Sequence, residues 1–224
     1  MDPLEALSAL GDETRRRLYE HVASTPGPVS RDEAAAAAGI GRTLAAYHLD
    51  RLARNGLLTV AYERRSGRTG PGAGRPAKLY TRAQSEIAVS VPPRDYHLAA
   101  RLLADAAAAD ASGDTRRALL VAAERLGKEL ASKAAPAPAL EPLLRERGYE
   151  PFRDEDGIVR LRNCPFHSVA QRHPEVVCQM NLALLRGLVA GLDAPDVAAT
   201  LEPQPGGCCV ALRDGDSHGR HLRR

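Results

Sequence analysis

Cysteine and histidine residues in the last third of the chain are those whose types and spacing could do chemistry. No cysteine occurs in the first 163 residues, and four then follow in a patterned stretch. Cys164 precedes His167 by three residues, and this C-x-x-H spacing is a local chelate found in many metal sites. Thiolates and imidazoles ligate zinc and iron. The sequence therefore predicts a metal centre whose candidate ligands are Cys164, His167, Cys178, Cys208 and Cys209.

Two kinds of centre suit these residues. Zinc would take Cys164, His167, Cys178 and one cysteine of the adjacent pair. Three cysteines with an exchangeable fourth ligand would instead suit an iron–sulfur cluster. Because neighbouring residues of a strand point to opposite faces, one of Cys208 and Cys209 is expected to be a ligand and the other a small core residue.

Two readings without a metal stay open. The four thiols could be buried small apolar residues in a domain that binds a small apolar ligand. Cys164 with His167 could instead be the nucleophile and base of a thiol enzyme, but no third, orienting residue stands out. An enzyme is therefore not expected.

Composition favours a mainly α (α+β) fold. Hydrophobic residues make up 44% of the 224 residues and aromatic residues only 4%, so the core must consist of Ala, Leu and Val, and Ala and Leu favour helix. No apolar run reaches the roughly 18 residues of a membrane span. The acidic start of the chain is unlike a signal peptide. We therefore expect a cytoplasmic protein, in which cysteines stay reduced.

The positive charge of the chain is concentrated in one segment. Between Arg42 and Arg82 there are nine basic residues and only two acidic ones, Asp50 and Glu63, which gives this segment a net charge of +7. A patch of this kind attracts polyanions such as nucleic acids.

A helix-turn-helix pattern coincides with this segment. The sequence predicts short helices over 3–10 and from a cap at Asp12 to near Ser24, then a helix that Ser30 and Glu33 begin as a capping box. The turn 39–41 leads into a helix over 42–55, whose inward side carries Ala45, His48, Leu49 and Leu52. Residues on its outer side and at its start are the candidate base and phosphate contacts, namely Arg42, Thr43, Ala46, Tyr47, Arg51 and Arg54.

A basic hairpin follows this helix. Residues 57–64 and 78–80 are predicted strands, and the segment 66–77 between them is rich in Gly, Arg and Pro. Such a hairpin is a wing that contacts phosphate or enters the minor groove. Its candidate DNA contacts are Arg64, Arg68, Arg75 and Lys78.

The span from Leu7 to Arg82 resembles the winged helix-turn-helix domain of ArsR-like bacterial regulators. The stretches that carry this resemblance are LSALGDETRRRLYEHV, AAYHLDRLARNGLL and GRPAKLYT. The resemblance implies a homodimer that binds a near-palindromic, double-stranded DNA operator, usually as a repressor.

The remaining chain is predicted to add central helices and a small α+β sensor domain. Helices over 96–109 and 114–130 carry leucine stripes that favour a dimer interface, and 134–139 reads as a stiff linker. Near the C-terminus we expect a short helix over 195–201 and a strand over 206–212. The predicted domains are 1–90 for DNA binding, 91–138 for dimerisation and linker, 139–213 for sensing, and 214–224 as a disordered tail.

The span from Gly148 to Leu212 resembles the C-terminal domain of SufR-like regulators, which are repressors of iron–sulfur cluster assembly genes. The stretches NCPFHSVAQRHPEVVCQMN and GGCCVAL carry this resemblance. It implies a bound 4Fe-4S or 2Fe-2S cluster held by Cys164, Cys178 and Cys208. Cluster binding would then shift operator affinity through its preference for one of two arrangements of the protein.

Overall fold

A computed structural model describes residues 3–63, 76–90, 94–133, 140–192, 194, 196–204 and 206–214. The chain forms two compact units, Met1–Arg94 and Asp95–Arg224. The expected mainly α (α+β) class is confirmed, since helices dominate and each unit adds a small antiparallel sheet. Within the described residues, no helix has both the length and the apolar character needed to cross a membrane.

The described residues of the first unit form four helices, whose bounds follow from local capping signals. They are α1 (Pro3–Ala9), α2 (Glu13–Ser24), α3 (Arg31–Ala38) and α4 (Arg42–Arg54). Asp12 caps α2 through Arg15 N, and Ser30 and Glu33 form the predicted capping box at α3. Gly39 ends α3 at a φ of 66°, a left-handed conformation that favours glycine.

The first unit also contains an antiparallel sheet with strand order β1-β3-β2. Its strands are β1 (Val29–Ser30), β2 (Leu58–Glu63) and β3 (Ala77–Arg82). The hairpin β2–β3 is the predicted wing, while β1 was not predicted because a two-residue strand has no sequence signature. Residues 64–75, which include Arg64, Arg68 and Arg75, lie outside the described residues.

Five helices lie in the part of the second unit that the structure describes. They are α5 (Tyr96–Ala109), α6 (Asp114–Ser132), α7 (Leu140–Glu146), α8 (His167–Ala170) and α9 (Pro174–Gly191). Pro174 at the first position of α9 lacks the N–H that a first turn leaves unpaired, which is why the helix begins there. The buried residues of α9, among them Leu182, Leu185 and Leu188, join the core of this unit.

The sheet of the second unit is antiparallel, with strand order β4-β5-β7-β6. Its strands are β4 (Pro151–Arg153), β5 (Val159–Leu161), β6 (Val197–Leu201) and β7 (Val210–Asp214). The short helix predicted over 195–201 is therefore wrong. Pairing of all five β6 residues with β7 outweighs the helix preference of Ala198 and Ala199.

Helices α6 and α9 cross at very close range. A side chain on Gly127 would meet the backbone of Leu184, and one on Gly187 would meet the backbone of Glu124. Glycine at both positions therefore lets the two backbones touch. Because of this packing, α6 belongs to the same compact unit as the cysteine region, so the boundary predicted at 138/139 falls inside one unit. The predicted linker 134–139 lies outside the described residues, as does the predicted tail apart from Asp214, which ends β7.

Candidate functional site

Helix α4 presents a polar outer face above a buried inner one. Ala45, His48, Leu49 and Leu52 are buried, as predicted. On the other side Tyr47 is 52% exposed, and Arg42, Thr43, Arg51 and Arg54 are also exposed, with Ala46 half-buried. Gly41 caps the helix without a side chain, so the first turn of α4 keeps free backbone N–H groups beside these residues. Such a helix start can approach bases or phosphates.

Asp50 ties this helix to the neighbouring elements of the unit. Its carboxylate accepts hydrogen bonds from Tyr80 Oη at 2.5 Å and from Lys78 Nζ at 2.6 Å, both on β3, and lies 3.2 Å from a guanidinium nitrogen of Arg31 on α3. Burial raises the pKa of Asp50, but the hydrogen bonds from Lys78 and Tyr80 outweigh it and leave the pKa below its usual value.

The basic residues of the predicted interface differ in how freely they can reach DNA. Lys78 already donates to Asp50, so its role as a phosphate contact stays a prediction that competes with an internal ion pair. Arg42 lies 2.6 Å from Asp32, but both side chains are 68% exposed, so solvent screens this pair. Arg51 donates to Tyr47 Oη at 3.5 Å, which places a guanidinium beside the exposed phenol on the outer face.

The four cysteines come from three separate places in the second unit and meet. Cys164 follows the end of β5, Cys178 lies in the first turns of α9, and Cys208 and Cys209 form a bend before β7. The thiol of Cys208 lies close to those of Cys164 and Cys209, and the thiol of Cys209 also lies close to that of Cys178. All four are free thiols, and Cys164 and Cys208 are buried. We call this group the sulfur cluster.

The last strand starts later than predicted, and this changes the surroundings of the adjacent cysteine pair. The sequence predicted a strand over 206–212, in which Cys208 and Cys209 would face opposite ways. The strand instead begins at Val210, so the alternation rule does not apply to the bend before it. Cys208 contacts Cys164 and Cys209 contacts Cys178.

Cys208 differs from two neighbouring thiols in the direction in which its pKa moves. The thiol of Cys164, and then that of Cys209, lowers the pKa of Cys208 despite its burial. Cys208 in turn raises the pKa of Cys164 and of Cys209, and burial adds to this. The backbone N–H of Val210 also acts to lower the pKa of Cys208.

A buried polar pair completes the site. Asn181 of α9 is 0% exposed, and its Nδ2 donates to Cys208 Sγ at 3.2 Å. Its Oδ1 accepts a hydrogen bond from Tyr149 Oη at 2.5 Å. Burial, followed by the nearby cysteines, raises the pKa of Tyr149, so the phenol keeps the proton that it donates.

His167, the fifth candidate ligand, lies apart from these contacts. Its Nε2 is 3.0 Å from Gln171 Nε2, one turn along α8. Within the described part of the chain, no group of three or more His, Cys, Asp or Glu side chains is arranged to hold a metal ion. The sulfur contacts instead run in sequence from Cys164 through Cys208 and Cys209 to Cys178.

Comparison with known proteins agrees with the geometry of the first unit. Residues 10–61 match a family of helix-turn-helix domains. The first unit is a winged helix-turn-helix domain, the architecture of DNA-binding transcription regulators. No curated protein and no solved structure matches the chain.

Of the predicted site residues, the structure brings the four cysteines together and places the α4 residues on one exposed helix. Asn181 and Tyr149 were missed. Asn181 lies three residues after Cys178, so the sequence did carry a signal, a polar residue on a helix face otherwise formed by Val177, Leu182 and Leu185. Tyr149 had no such signal, because only folding brings it to Asn181 across 32 residues.

Proposed function

We propose that this protein is a transcriptional repressor whose second unit binds an iron–sulfur cluster through the sulfur cluster and thereby changes operator affinity. The observation that carries the proposal is that cysteines 164, 178, 208 and 209 meet in one largely buried group, in a chain that also has a helix-turn-helix domain. The resemblance to SufR-like regulators points the same way.

The donor set fits a thiolate-bound centre. A neutral thiol is a weak hydrogen-bond acceptor, whereas a metal-bound thiolate is a strong one. Cys208 Sγ accepts an N–H from the buried side-chain amide of Asn181 at 3.2 Å. Hydrogen bonds of this kind to ligand sulfurs tune iron–sulfur clusters. We expect Cys164, Cys178 and Cys208 to hold the cluster, with Cys209 next to them.

The position of His167 counts against the zinc site that the sequence predicted. That site needs His167 as a ligand, and its Nε2 lies 3.0 Å from Gln171 Nε2 instead. The cysteines alone supply the three thiolates that an iron–sulfur cluster with an exchangeable fourth ligand requires. When bound, a cluster would make the protein respond to redox conditions and to removal of the cluster.

Helix α9 connects the cysteines to the central helix α6. Cys178 and Asn181 lie on α9, and α9 contacts α6 backbone to backbone at Gly187 and Gly127. A change in the position of α9 must therefore move α6 or separate the two helices. We propose that α5 and α6 pair in a homodimer, because α5 exposes Tyr96, Leu98, Leu102 and Leu103. The spacing of the two DNA-reading helices would then depend on the state of the sulfur cluster.

A small apolar ligand is the second candidate effector, and one cleft favours it. The cleft has a volume of about 550 Å³ and lies between α9 and β6, with Val189, Ala190, Ala194 and Val197 among its lining residues. Arg186 lies at the same cleft. A ligand there would also act on α9. The proposal includes no enzymatic activity, since His167 bonds to Gln171 rather than to a cysteine.

The test begins with protein purified without oxygen. We expect visible charge-transfer absorption together with iron and acid-labile sulfide in matching amounts, and little zinc. Operator DNA is then selected from a randomised pool, and its affinity is compared for loaded and chelator-stripped protein. We expect the loaded protein to bind more tightly. Equal affinity in the two states contradicts the switch, and stoichiometric zinc without sulfide contradicts the cluster.

Single substitutions identify the ligands. Cys164→Ser, Cys178→Ser and Cys208→Ser should each lose iron and sulfide. His167→Ala should keep both, because its ring is bonded to Gln171. Ser168→Ala, on the same short helix, is the matched control for disturbing this turn. Loss of iron from His167→Ala but not from Cys164→Ser would reverse the ligand assignment.

A further inference from the structure

Asn181 is a buried polar residue on a helix face that otherwise packs apolar side chains. It is one of two polar or charged residues among the described ones that are classed as buried, and the other, His48, belongs to the first unit. Burying an amide costs free energy unless its donors and acceptor are bonded. Here the amide oxygen accepts from Tyr149 and the amide nitrogen donates to Cys208, and these two bonds offset the cost of burial.

Tyr149 fixes which way the amide faces. The phenol of Tyr149, 2% exposed, donates its proton to Asn181 Oδ1. The amide nitrogen, which can only donate, is thereby turned to Cys208 Sγ. The opposite orientation would place an amide oxygen against the sulfur, which only a protonated thiol could satisfy. The observed orientation is thus the one that suits a sulfur without a proton.

Asn181 Nδ2 donates to Cys208 Sγ at 3.2 Å, and both residues are buried. Because Tyr149 holds the amide oxygen, Asn181 keeps this N–H directed at the sulfur.

We propose that Asn181, held by Tyr149, is a positioning residue that directs an N–H to Cys208 Sγ and so raises the reduction potential of the proposed metal centre. This inference rests on the proposed function, because it takes Cys208 to be a ligand. The physical reason is that an N–H donor stabilises the more negative, reduced form of a cluster.

The first measurement is a redox titration of the loaded protein. Asn181→Leu removes the donor at similar volume, and we expect it to lower the ratio of reduced to oxidised cluster at a fixed potential about tenfold, which is about 59 mV for a one-electron couple. Tyr149→Phe keeps the amide but frees its orientation, so a smaller change in the same direction is expected. Gln179→Leu, an exposed amide on the same helix, is the matched control and should leave the potential unchanged.

The second measurement does not need a cluster. In metal-free protein, the side-chain amide resonances of Asn181 are followed by NMR in Cys208→Ala and Cys209→Ala. We expect them to move in Cys208→Ala and to stay nearly unchanged in Cys209→Ala, because only Cys208 accepts from Asn181.

The outcomes separate the two proposals. Wild-type protein without iron and sulfide overturns the proposed function, while the NMR comparison still decides whether Asn181 donates to Cys208. A natively folded Asn181→Leu that loses iron, or that shifts the potential downward, supports the inference. Where Asn181→Leu does not fold, Tyr149→Phe decides. The inference is overturned if the folded variants keep the wild-type reduction potential. It is also overturned if the Asn181 amide resonances stay in place in Cys208→Ala.

Discussion

Tyr47 is the residue of α4 best placed to read a base. It lies in the second turn of the helix, is 52% exposed, and packs edge-on against the buried ring of His48, with 5.2 Å between ring centroids. A rigid aromatic ring with a polar tip can contact a base edge without losing much conformational freedom. Residues near the start of a recognition helix are those that usually reach base edges.

Tyr47→Ala should therefore weaken sequence preference more than overall affinity. We expect the free-energy difference between selected operator and random DNA to shrink by about 1–3 kcal/mol, the value of a specific base contact. Fluorescence anisotropy with both DNAs at one salt concentration measures this. Arg54→Ala is the contrast, since an exposed arginine at the helix end should weaken both DNAs alike. If Tyr47→Ala and Arg54→Ala lose the same affinity for both DNAs, Tyr47 contacts only the DNA backbone.

His48 gives the first unit a defined pH dependence. It is 7% exposed, and no described residue bonds to its Nδ1. Burial lowers its pKa, with Arg15 and Arg51 adding to this and Asp12 opposing it. Above the unfolded value of 6.5 the ring is neutral in both states. As the pH falls below that value, the unfolded chain takes up a proton before the folded one does, so stability falls.

His48→Gln should remove this part of the pH dependence. We expect the free energy of unfolding to decrease less between about pH 8 and about pH 5 in His48→Gln than in the wild type. Urea unfolding followed at several pH values measures the difference. His21→Gln, in the same unit, controls for the loss of any imidazole. The assignment of this pH dependence to His48 would be contradicted if the free energy of unfolding of the wild type did not change with pH in this range. A pH dependence that is equal in the wild type and in His48→Gln would contradict it too.

At the scale of elements, the sequence predicted what local chemistry determines. Asp12, and Ser30 with Glu33, mark helix starts, and the structure begins helices at these places. A cap bonds to residues within its own turn, so it can be read from spacing alone.

Elements that depend on distant partners were predicted less well. Residues 197–201 form a strand because β7 pairs with them, and nothing within those five residues requires it. The bend at Cys208 and Cys209 arises where β7 starts, so the sequence could not show that both face the sulfur cluster. The spacing of the cysteines suggested that they converge, but the link from Tyr149 through Asn181 to Cys208 needed the fold.

The crossing of α6 and α9 offers a test in which two effects oppose each other. Helix propensity alone predicts that Gly187→Ala stabilises the protein by about 1 kcal/mol. The added Cβ, however, would meet the backbone of Glu124 and come within 3.0 Å of Gly127 Cα, and a backbone cannot move aside as a side chain can. We expect the steric clash to outweigh the gain in helix propensity, so Gly187→Ala should destabilise the protein by about 1–3 kcal/mol.

Urea unfolding measures the sign of this effect. Ala190→Gly, at an exposed position of the same helix, should cost about 1 kcal/mol by propensity alone and shows the size of that contribution. A stabilised Gly187→Ala would mean that the two helices are not in backbone contact in solution. It would also remove the proposed route from Cys178 to α6.

For the whole molecule, the exposed apolar side chains of α5 suggest that the protein pairs with a second copy. Helix α5 exposes four large apolar residues, and Leu103 is 73% exposed. A helix-turn-helix protein that reads a palindrome needs two recognition helices about one DNA turn apart. A second copy of the chain, paired through α5, would cover these side chains and give the complex two recognition helices.

Leu103→Glu tests this pairing, because an exposed position tolerates the charge in the monomer while an apolar interface does not. We expect light scattering to show a shift from dimer to monomer. Affinity for the selected palindrome should fall at least about tenfold, roughly 1.4 kcal/mol, while affinity for a single half-site stays the same. Leu7→Glu, an exposed leucine on α1, receives the same substitution and should remain dimeric. A dimeric Leu103→Glu with full operator affinity would place the interface elsewhere and leave the exposed side chains of α5 for another partner.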